Sequence, residues 1–385
     1  MLSMHSLTRS AGALTALTLL LAGCSSPAAT PTQAPAAAPT AAPAAKPTTA
    51  PAAAPTTAPA AAPTTAPAPA AAATGPKTKL SIMVGGLDKQ IYLTATLAKQ
   101  LGLYDAQGLD VQLVDEPSGV SAEQSLLAGE VEAAFGSYDH PVSLAGLKKQ
   151  VVNIFQALIA PGEAEMVSTK AADTLRSPAD FKDKNLGVTS IGSGTHTLTQ
   201  FLAVRNNVPV DTIHPVAVGA GNTFIAALQQ GKIDAGMTTE PTISRIIQSG
   251  AGKVLVDLRT PEGTRAALGG DYPFTCFFVR ADWLDKNRET AQKLVNALSA
   301  THKWISSHTP EQITEQMPPD YYAGDKNLYL TALKGEVGMY SPDGKMPKGG
   351  PEFVLSVLQQ FDDNVKDKQI DLSKTYTTEL VDAVK

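Results

Sequence analysis

The stretch Ser190-Ile191-Gly192-Ser193-Gly194-Thr195-His196 concentrates the residue types that hold an anion. Its glycines let the backbone turn N–H groups outward, and the hydroxyls of Ser193 and Thr195 can cap a helix or donate. The helix that follows carries Leu198, Phe201 and Leu202 on one face, so its N-terminus would bring partial positive charge to the same place. A cradle of this kind needs no lysine. An ordinary capped helix after a glycine turn has the same composition, and the residues alone leave both readings open. His196 falls in the first helical turn, where the dipole disfavours a cation unless an anion is bound; a neutral, partly exposed ring is the other reading.

Covalent and metal chemistry find less support. Cys276 lies in the apolar strand pattern Phe274-Thr275-Cys276-Phe277-Phe278 and reads as a small buried apolar residue. The sequence has no Gly-x-Ser-x-Gly elbow and no Gly-x-x-x-x-Gly-Lys phosphate loop. His140 and His214 each precede a Pro and read as turn residues. His302 and His308 read as solvent-facing beside a C-terminal helix, and no pair of histidines has the i, i+4 spacing of a metal site. Two Cys in 385 residues exclude a disulfide framework and a cysteine-rich zinc module. Neither a metal nor a cofactor is implied.

Candidate groups need a scaffold, and the alternation of patterns supplies one. Leu80 to Val84 reads as a strand ending at Gly85-Gly86, and Ile91 to Leu101 has helical spacing that stops at Gly102. Leu109 to Val114 alternates as a strand, Ser121 to Ala128 is a helix closed by Gly129, and Val131 to Phe135 is the next strand. Such alternation predicts an α/β protein with mixed, mainly parallel sheets flanked by helices. A faint internal repeat aligns the segment from Leu126 to Ala133 with that from Leu228 to Ala235, offset by 102, and Leu186-Gly187-Val188-Thr189-Ser190 answers the opening strand. Chance similarity of α/β units is the alternative. Two similar lobes make a cleft, and strand ends facing it are the default ligand positions.

The front of the chain has a different composition. Of 28 Pro, 13 fall in residues 25–76, and residues 1–76 hold no Asp or Glu and only Arg9 and Lys46 as basic residues. The body from 77 to 385 therefore carries all 36 acidic residues against 29 Lys and Arg, a net charge near −7. It lacks the basic face with which a nucleic-acid binder neutralises phosphates. Residues 1–23 read as a signal peptide: Arg9 is the charged front, and the apolar run from Ala11 to Ala22 is too short to span a bilayer. The run ends in Leu21-Ala22-Gly23-Cys24, which resembles the bacterial lipobox. That resemblance implies cleavage before Cys24 and acylation, palmitate included, as a membrane anchor. From Pro27 to Pro67 a Pro falls on every fourth position with Ala and Thr between, which blocks helix hydrogen bonding and leaves nothing to bury. Residues 24–76 are expected to be a lipid-anchored disordered tether, reaching up to roughly 160 Å at ~3.1 Å per residue.

The body resembles the bacterial ABC-transporter substrate-binding proteins of the nitrate/sulfonate/taurine type, the group that includes the NMT1/THI5-like thiamine-precursor binders. The segments that carry the resemblance are Leu101-Gly102-Leu103-Tyr104 with Gly108-Leu109-Asp110-Val111, Leu127-Ala128-Gly129-Glu130-Val131-Glu132, Asp180-Phe181-Lys182-Asp183-Lys184-Asn185-Leu186-Gly187-Val188, Gly192-Ser193-Gly194-Thr195-His196, and Ala227-Leu228-Gln229-Gln230-Gly231-Lys232-Ile233-Asp234-Ala235. It implies a two-lobed periplasmic-binding-protein type II (Venus-flytrap) fold, with lobe 1 at 77–165 and 274–385 and lobe 2 at 166–273. It favours the anion reading of the glycine turn. The ligand-binding positions it implies are Gly86, Leu87, Asp88, Gln90 and Tyr92; Ser137, Tyr138 and Asp139; Ser190, Gly192, Ser193, Gly194, Thr195 and His196; and Thr239 and Glu240. Glu240 would suit a ligand amine, as in a zwitterion, or would face solvent. The Trp-containing first loop of the thiamine-precursor binders is replaced here by Leu87-Asp88, which disfavours a pyrimidine.

The implied protein is a monomeric extracytoplasmic binder, not an enzyme, without a cofactor. It would capture a small organic anion and deliver it to the transmembrane subunits of an ABC permease. A heterocyclic vitamin precursor (thiamine-pyrimidine or riboflavin-like) is the alternative ligand, and an enzyme on the same fold is the more distant one.

Overall fold

The computed structural model describes residues 75–385 apart from Ala323; the expected signal segment 1–23, the expected anchor Cys24 and the expected tether up to residue 74 lie outside the described residues. The strands are β1 Thr78–Val84, β2 Leu109–Asp115, β3 Ala133–Ser137, β4 Val151–Gln156, β5 Glu163–Ser168, β6 Asn185–Val188, β7 His214–Ala217, β8 Ala235–Thr239, β9 Gly252–Asp257 and β10 Thr275–Arg280. The helices are α1 Leu93–Gln100, α2 Leu103–Ala106, α3 Gly119–Ala128, α4 Asp139–Gly146, α5 Gly194–Arg205, α6 Asn222–Gln230, α7 Thr242–Gln248, α8 Pro261–Leu268, α9 Ala281–Lys286, α10 Arg288–Ser307, α11 Pro310–Gln316, α12 Lys326–Glu336, α13 Gly350–Leu358 and α14 Glu379–Asp382.

The strands form two five-stranded sheets, ordered β2-β1-β3-β10-β4 and β7-β6-β8-β5-β9. In the first, β1 runs parallel to β2 and β3, while β10 lies antiparallel between β3 and β4. In the second, β6 runs parallel to β7 and β8, while β5 lies antiparallel between β8 and β9. The two orders are the same when the antiparallel strand is matched, so the repeat read at an offset of 102 is a repeat of architecture. Strand β3 and helix α3 correspond to β8 and α6 at that offset. The chain passes between sheets at 157–162 and returns at 258–274. The expected division at 165/166 falls inside β5, whose pairing with β8 begins at Glu163↔Thr239.

Each sheet buries its strands because helices cover both faces, which is why β3, β5 and β8 are buried along their whole length. The first core centres on Phe135 and Phe277, whose rings lie 4.8 Å apart, with Ile82, Leu93 and Leu97 against them. A smaller one packs Met166, Phe224, Leu228, Ile233, Ile243 and Ile246 in the second lobe.

Two histidines depart from the sequence reading. His140 lies in the first turn of α4 and is buried rather than in an open turn. His302 is 2% exposed, not solvent-facing: it continues the stripe of Leu294, Leu298 and Ile305 on α10. Its ring nitrogens meet Thr94 Oγ1 at 2.9 Å and the Ser341 carbonyl at 2.7 Å. His308 stacks on Trp304 at 3.8 Å, and His214 is exposed at the start of β7.

Burial lowers the pKa of His302 from 6.5 to about 4, against the opposing bond to Ser341. The folded protein keeps this ring neutral over a range where the unfolded chain protonates it. Stability should therefore fall as pH drops from 6.5 towards 4, by about 2–3 kcal/mol from this group. Urea unfolding at neutral pH and near pH 4.5 should show a shallower pH dependence in His302→Gln than in the parent chain; an identical dependence would refute the assignment.

Candidate functional site

The C-terminal ends of β1, β3, β6 and β8 converge where the lobes meet, together with the N-terminus of α5. Ser137 ends β3 and Thr239 ends β8, at the repeat offset of 102, and both line one small cavity. Tyr92 and Lys89 reach it from the segment between β1 and α1, Glu163 from the first residue of β5, and Thr189, Ser193, Gly194 and Thr195 from the turn into α5. The cavity measures about 20 Å³, room for about one water. The lobes are closed on it: a Cβ at Gly194 would lie 2.7 Å from Ser137 Oγ and 2.5 Å from the Phe274 ring. The Gln90 N–H also donates to the Glu240 carbonyl at 3.1 Å across the seam.

Lys89 is the unexpected member. Its side chain is buried, and Nζ donates to the Gly85 carbonyl at 2.5 Å and to the Pro117 carbonyl at 2.9 Å. Gly86 makes room for it, since a Cβ there would lie 2.5 Å from Lys89 Cε. Burial pulls the Lys89 pKa below the lysine range, while Asp88, Glu163 and Asp115 oppose that shift. Burial likewise pushes the Glu163 carboxyl well above the usual range, with Lys89 opposing. Both shifts express the cost of burying charge, and each group is the other's nearby counter-charge. Glu163 Oε2 and Ser137 Oγ have no hydrogen-bond partner among the described residues.

The hydroxyls of the α5 turn form a nest. Thr195 Oγ1 accepts the Thr189 N–H at 3.0 Å, Thr189 Oγ1 donates to Ser193 Oγ at 3.0 Å, and Ser193 Oγ donates to the Ser190 carbonyl at 2.7 Å. Ser193 Oγ and Thr195 Oγ1 lie 2.7 Å apart. His196 stands outside this nest. Its Nδ1 accepts the Gly192 N–H at 3.1 Å, so the ring proton sits on Nε2, and burial lowers its pKa.

Residues 73–317 match a family described as NMT1-like. The chain belongs to the NMT1-like family. A protein of known structure from Bordetella bronchiseptica RB50 is 31% identical, over 80% of this chain and 96% of its own, with a TM-score of 0.76. The alkanesulfonate-binding protein SsuA from Xanthomonas axonopodis pv. citri, determined bound to MOPS, is 16% identical over 79% of this chain and 100% of its own, with a TM-score of 0.63. In sequence, YtlA of Bacillus subtilis (strain 168), named as a binding protein, is 22% identical over 300 residues, 75% of this chain and 86% of its own length. The two-lobed periplasmic-binding-protein fold expected from the sequence is the fold of this NMT1-like chain.

Against that fold, the sixteen anticipated ligand positions separate into groups. Tyr92, Ser137, Ser193, Gly194, Thr195 and Thr239 line the cavity. Asp139, Gly192 and His196 line a larger neighbouring groove. Ser190 lies in the turn, its carbonyl bound by Ser193. The others face elsewhere. Tyr138 turns into the first lobe, where its hydroxyl lies 2.5 Å from Thr375 Oγ1. Glu240 neither meets the cavity nor faces solvent: it pairs with Arg259 Nη1 at 2.9 Å and accepts the Ser244 N–H at 2.9 Å. Gln90 is buried and donates to the Tyr329 carbonyl at 2.9 Å. Asp88 is exposed, Leu87 donates its N–H to Asp115, and Gly86 serves only to admit Lys89. The strand pleat explains two of these departures: the residue after each inward hydroxyl points the opposite way, so Tyr138 and Glu240 are sent into their own lobes.

Sequence reasoning missed Lys89, Thr189 and Glu163. Thr189 and Lys89 each sit one residue from a position it named. Glu163 carried no local signal, because β5 belongs to the crossing between lobes. Cys276 is buried on β10 and burial raises its thiol pKa well above the ordinary value, as for an inert apolar residue.

The seam at Gly194 can be tested directly. Gly194→Ala should cost the closed arrangement about 1–3 kcal/mol through overpacking against Ser137 and Phe274. Small-angle scattering of the full chain should report a larger radius of gyration, and a profile identical to the parent would contradict this closure.

Proposed function

We propose that this chain is the solute-binding component of an ABC importer, capturing a small organic anion between its lobes and presenting it to a membrane permease. The observation that carries the reading is the meeting of both lobes around the Lys89 ammonium and a set of hydroxyls, with the one carboxyl there, Glu163, pushed by burial towards its neutral form. Lys89, Tyr92 and Ser137 come from one lobe, and Thr189, Ser193, Thr195 and Thr239 from the other. These groups donate or share protons, and they sit at the N-terminus of α5, where the helix dipole favours negative charge. Ligand contact with both lobes is what would favour their closure. Family membership supports the transport reading, as do relatives named as binding proteins. The signal, lipobox and spacer features of the sequence add an extracytoplasmic location, anchored through Cys24, from which a monomer can meet its permease.

In this reading the Lys89 ammonium spends two protons on carbonyls and keeps the third for the solute. Among the described residues, no helix is long and apolar enough to cross a membrane.

A thermal-shift screen of the full chain over sulfonates, nitrate, bicarbonate, taurine and vitamin precursors tests the proposal. A ligand should raise the melting temperature in proportion to RT ln(1 + [L]/Kd). For the compound that does so, Lys89→Met should weaken binding about tenfold or more by calorimetry. The pair Ser193→Ala with Thr195→Ala should also weaken it more than it lowers stability. Unchanged affinity in both variants would remove the anion site.

A further inference from the structure

Beside the small cavity lies a groove of about 380 Å³ between the lobes, the size of a small-molecule site. The two share walls. Gly119 lines the cavity and Val120 the groove, Ser137 the cavity and Asp139 the groove, Thr195 the cavity and His196 the groove. One solute could therefore touch both.

The groove differs in charge from the cavity, where Lys89 and Glu163 stand together among hydroxyls. Glu123, Asp139, Asp362 and Asp363 line it, and no Lys or Arg does. Asp139 is 2% exposed, and neither of its oxygens has a hydrogen-bond partner among the described residues. His140 is the nearest basic group in the lining, and it is poorly engaged. Its Nδ1 lies 3.3 Å from Glu123 Oε2 and its Nε2 4.0 Å from Asp139 Oδ1, yet neither nitrogen makes a hydrogen bond. His196 cannot serve, because its Nδ1 accepts the Gly192 N–H and the ring is neutral. A protonated His140 would still leave four carboxyls facing one cation. Burial raises the Glu123 pKa, with His140 and, outside the groove lining, Lys149 opposing the shift and Asp139 adding to it.

We infer that this groove takes the cationic nitrogen of the solute, with Asp139 and Glu123 as its partners, so that the ligand is a zwitterion or other amine-bearing acid rather than a simple oxoanion. The inference rests on the solute-binding reading above: the hydroxyl cavity with Lys89 holds the acid end, and the acidic groove holds the amine end. Asp139, with both oxygens unpartnered and buried, is the specificity-determining residue. A hydroxyl in place of the amine would leave the excess of carboxylate charge uncompensated.

Matched pairs of probes test this on the full chain: taurine with isethionate, β-alanine with 3-hydroxypropionate, and ethylamine alone, each by thermal shift and calorimetry. The amine-bearing acid should bind at least about tenfold tighter than its hydroxyl partner, since charged hydrogen bonds are the stronger ones. Asp139→Asn should abolish that preference while leaving the melting temperature without additive near the parent value. If Asp139→Asn fails to fold, Glu123→Gln, whose side chain is 12% exposed, carries the same comparison. Equal binding of amine and hydroxyl partners would overturn the inference and leave the solute-binding reading standing. Silence in every arm, with the wider screen also silent, would overturn both.

Discussion

A buried ammonium must be surrounded by oxygen, and the place where Lys89 finds that oxygen organises the seam between the lobes. Taking such an ion out of water costs several kcal/mol. Two short bonds, to the carbonyls of Gly85 and Pro117, offset part of that cost, and Asp88 and Glu163 oppose the fall in its pKa. Each partner fixes a piece of the fold. Gly85 ends β1, Pro117 lies on the loop into α3, and Glu163 opens β5 in the other lobe. The ammonium thus ties the turn after β1 to the loop into α3 beside the first residue of β5, and a Cβ at Gly86 would lie 2.5 Å from Lys89 Cε.

The architecture places these groups by repetition. Both sheets have the same order, with one antiparallel strand inserted beside the third parallel one. The two related strand ends, Ser137 and Thr239, consequently point at the same space from opposite sides. Their successors, Tyr138 and Glu240, point away from it and are each satisfied within their own lobe. Arg259 does for Glu240 what Thr375 does for Tyr138: it keeps a buried polar group paired, and so holds the strand end still. The buried Glu240–Arg259 pair is best understood as positioning, because ion pairs of this kind contribute little net stability but are costly to break.

Much of this was legible in the sequence, and the limits have physical causes. Periodicity marked β1, α1, β2, α3, β6 and α5, because each combines an apolar pattern with a glycine at or near one of its ends. The faint repeat disclosed the two lobes. The glycine turn at 190–196 and the hydroxyls of Ser137 and Thr239 could be named because a strand end facing a cleft is a local property. Glu163 could not, because its place in the cavity depends on a strand that pairs far from its sequence neighbours, with β8 and β9. Tyr138 and Glu240 were misassigned by one step of the pleat. His302 carried a usable signal, its position on the stripe of Leu294, Leu298 and Ile305, but residue type was weighed above periodicity. For the front of the chain, composition is the only argument: a proline falls on every fourth position from Pro27 to Pro67, outside the described residues.

The opposed polarity of cavity and groove bears on how the lobes move. A cavity of about 20 Å³ admits no organic solute, so binding must accompany separation of the lobes. On closing, the helix α5 brings its N-terminus, its hydroxyl nest and His196 to the first lobe together, because all are fixed to one rigid element. A solute can shift that equilibrium only by the difference between its contacts with the open and closed forms. An acid end alone meets α5, Lys89 and the hydroxyls. A solute with an amine end as well would also engage Asp139 and Glu123, adding contacts at a second point along the same seam. Two separated points of contact resist relative rotation of the lobes better than one, so the molecule that satisfies both polarities is also the one that would best hold the lobes closed.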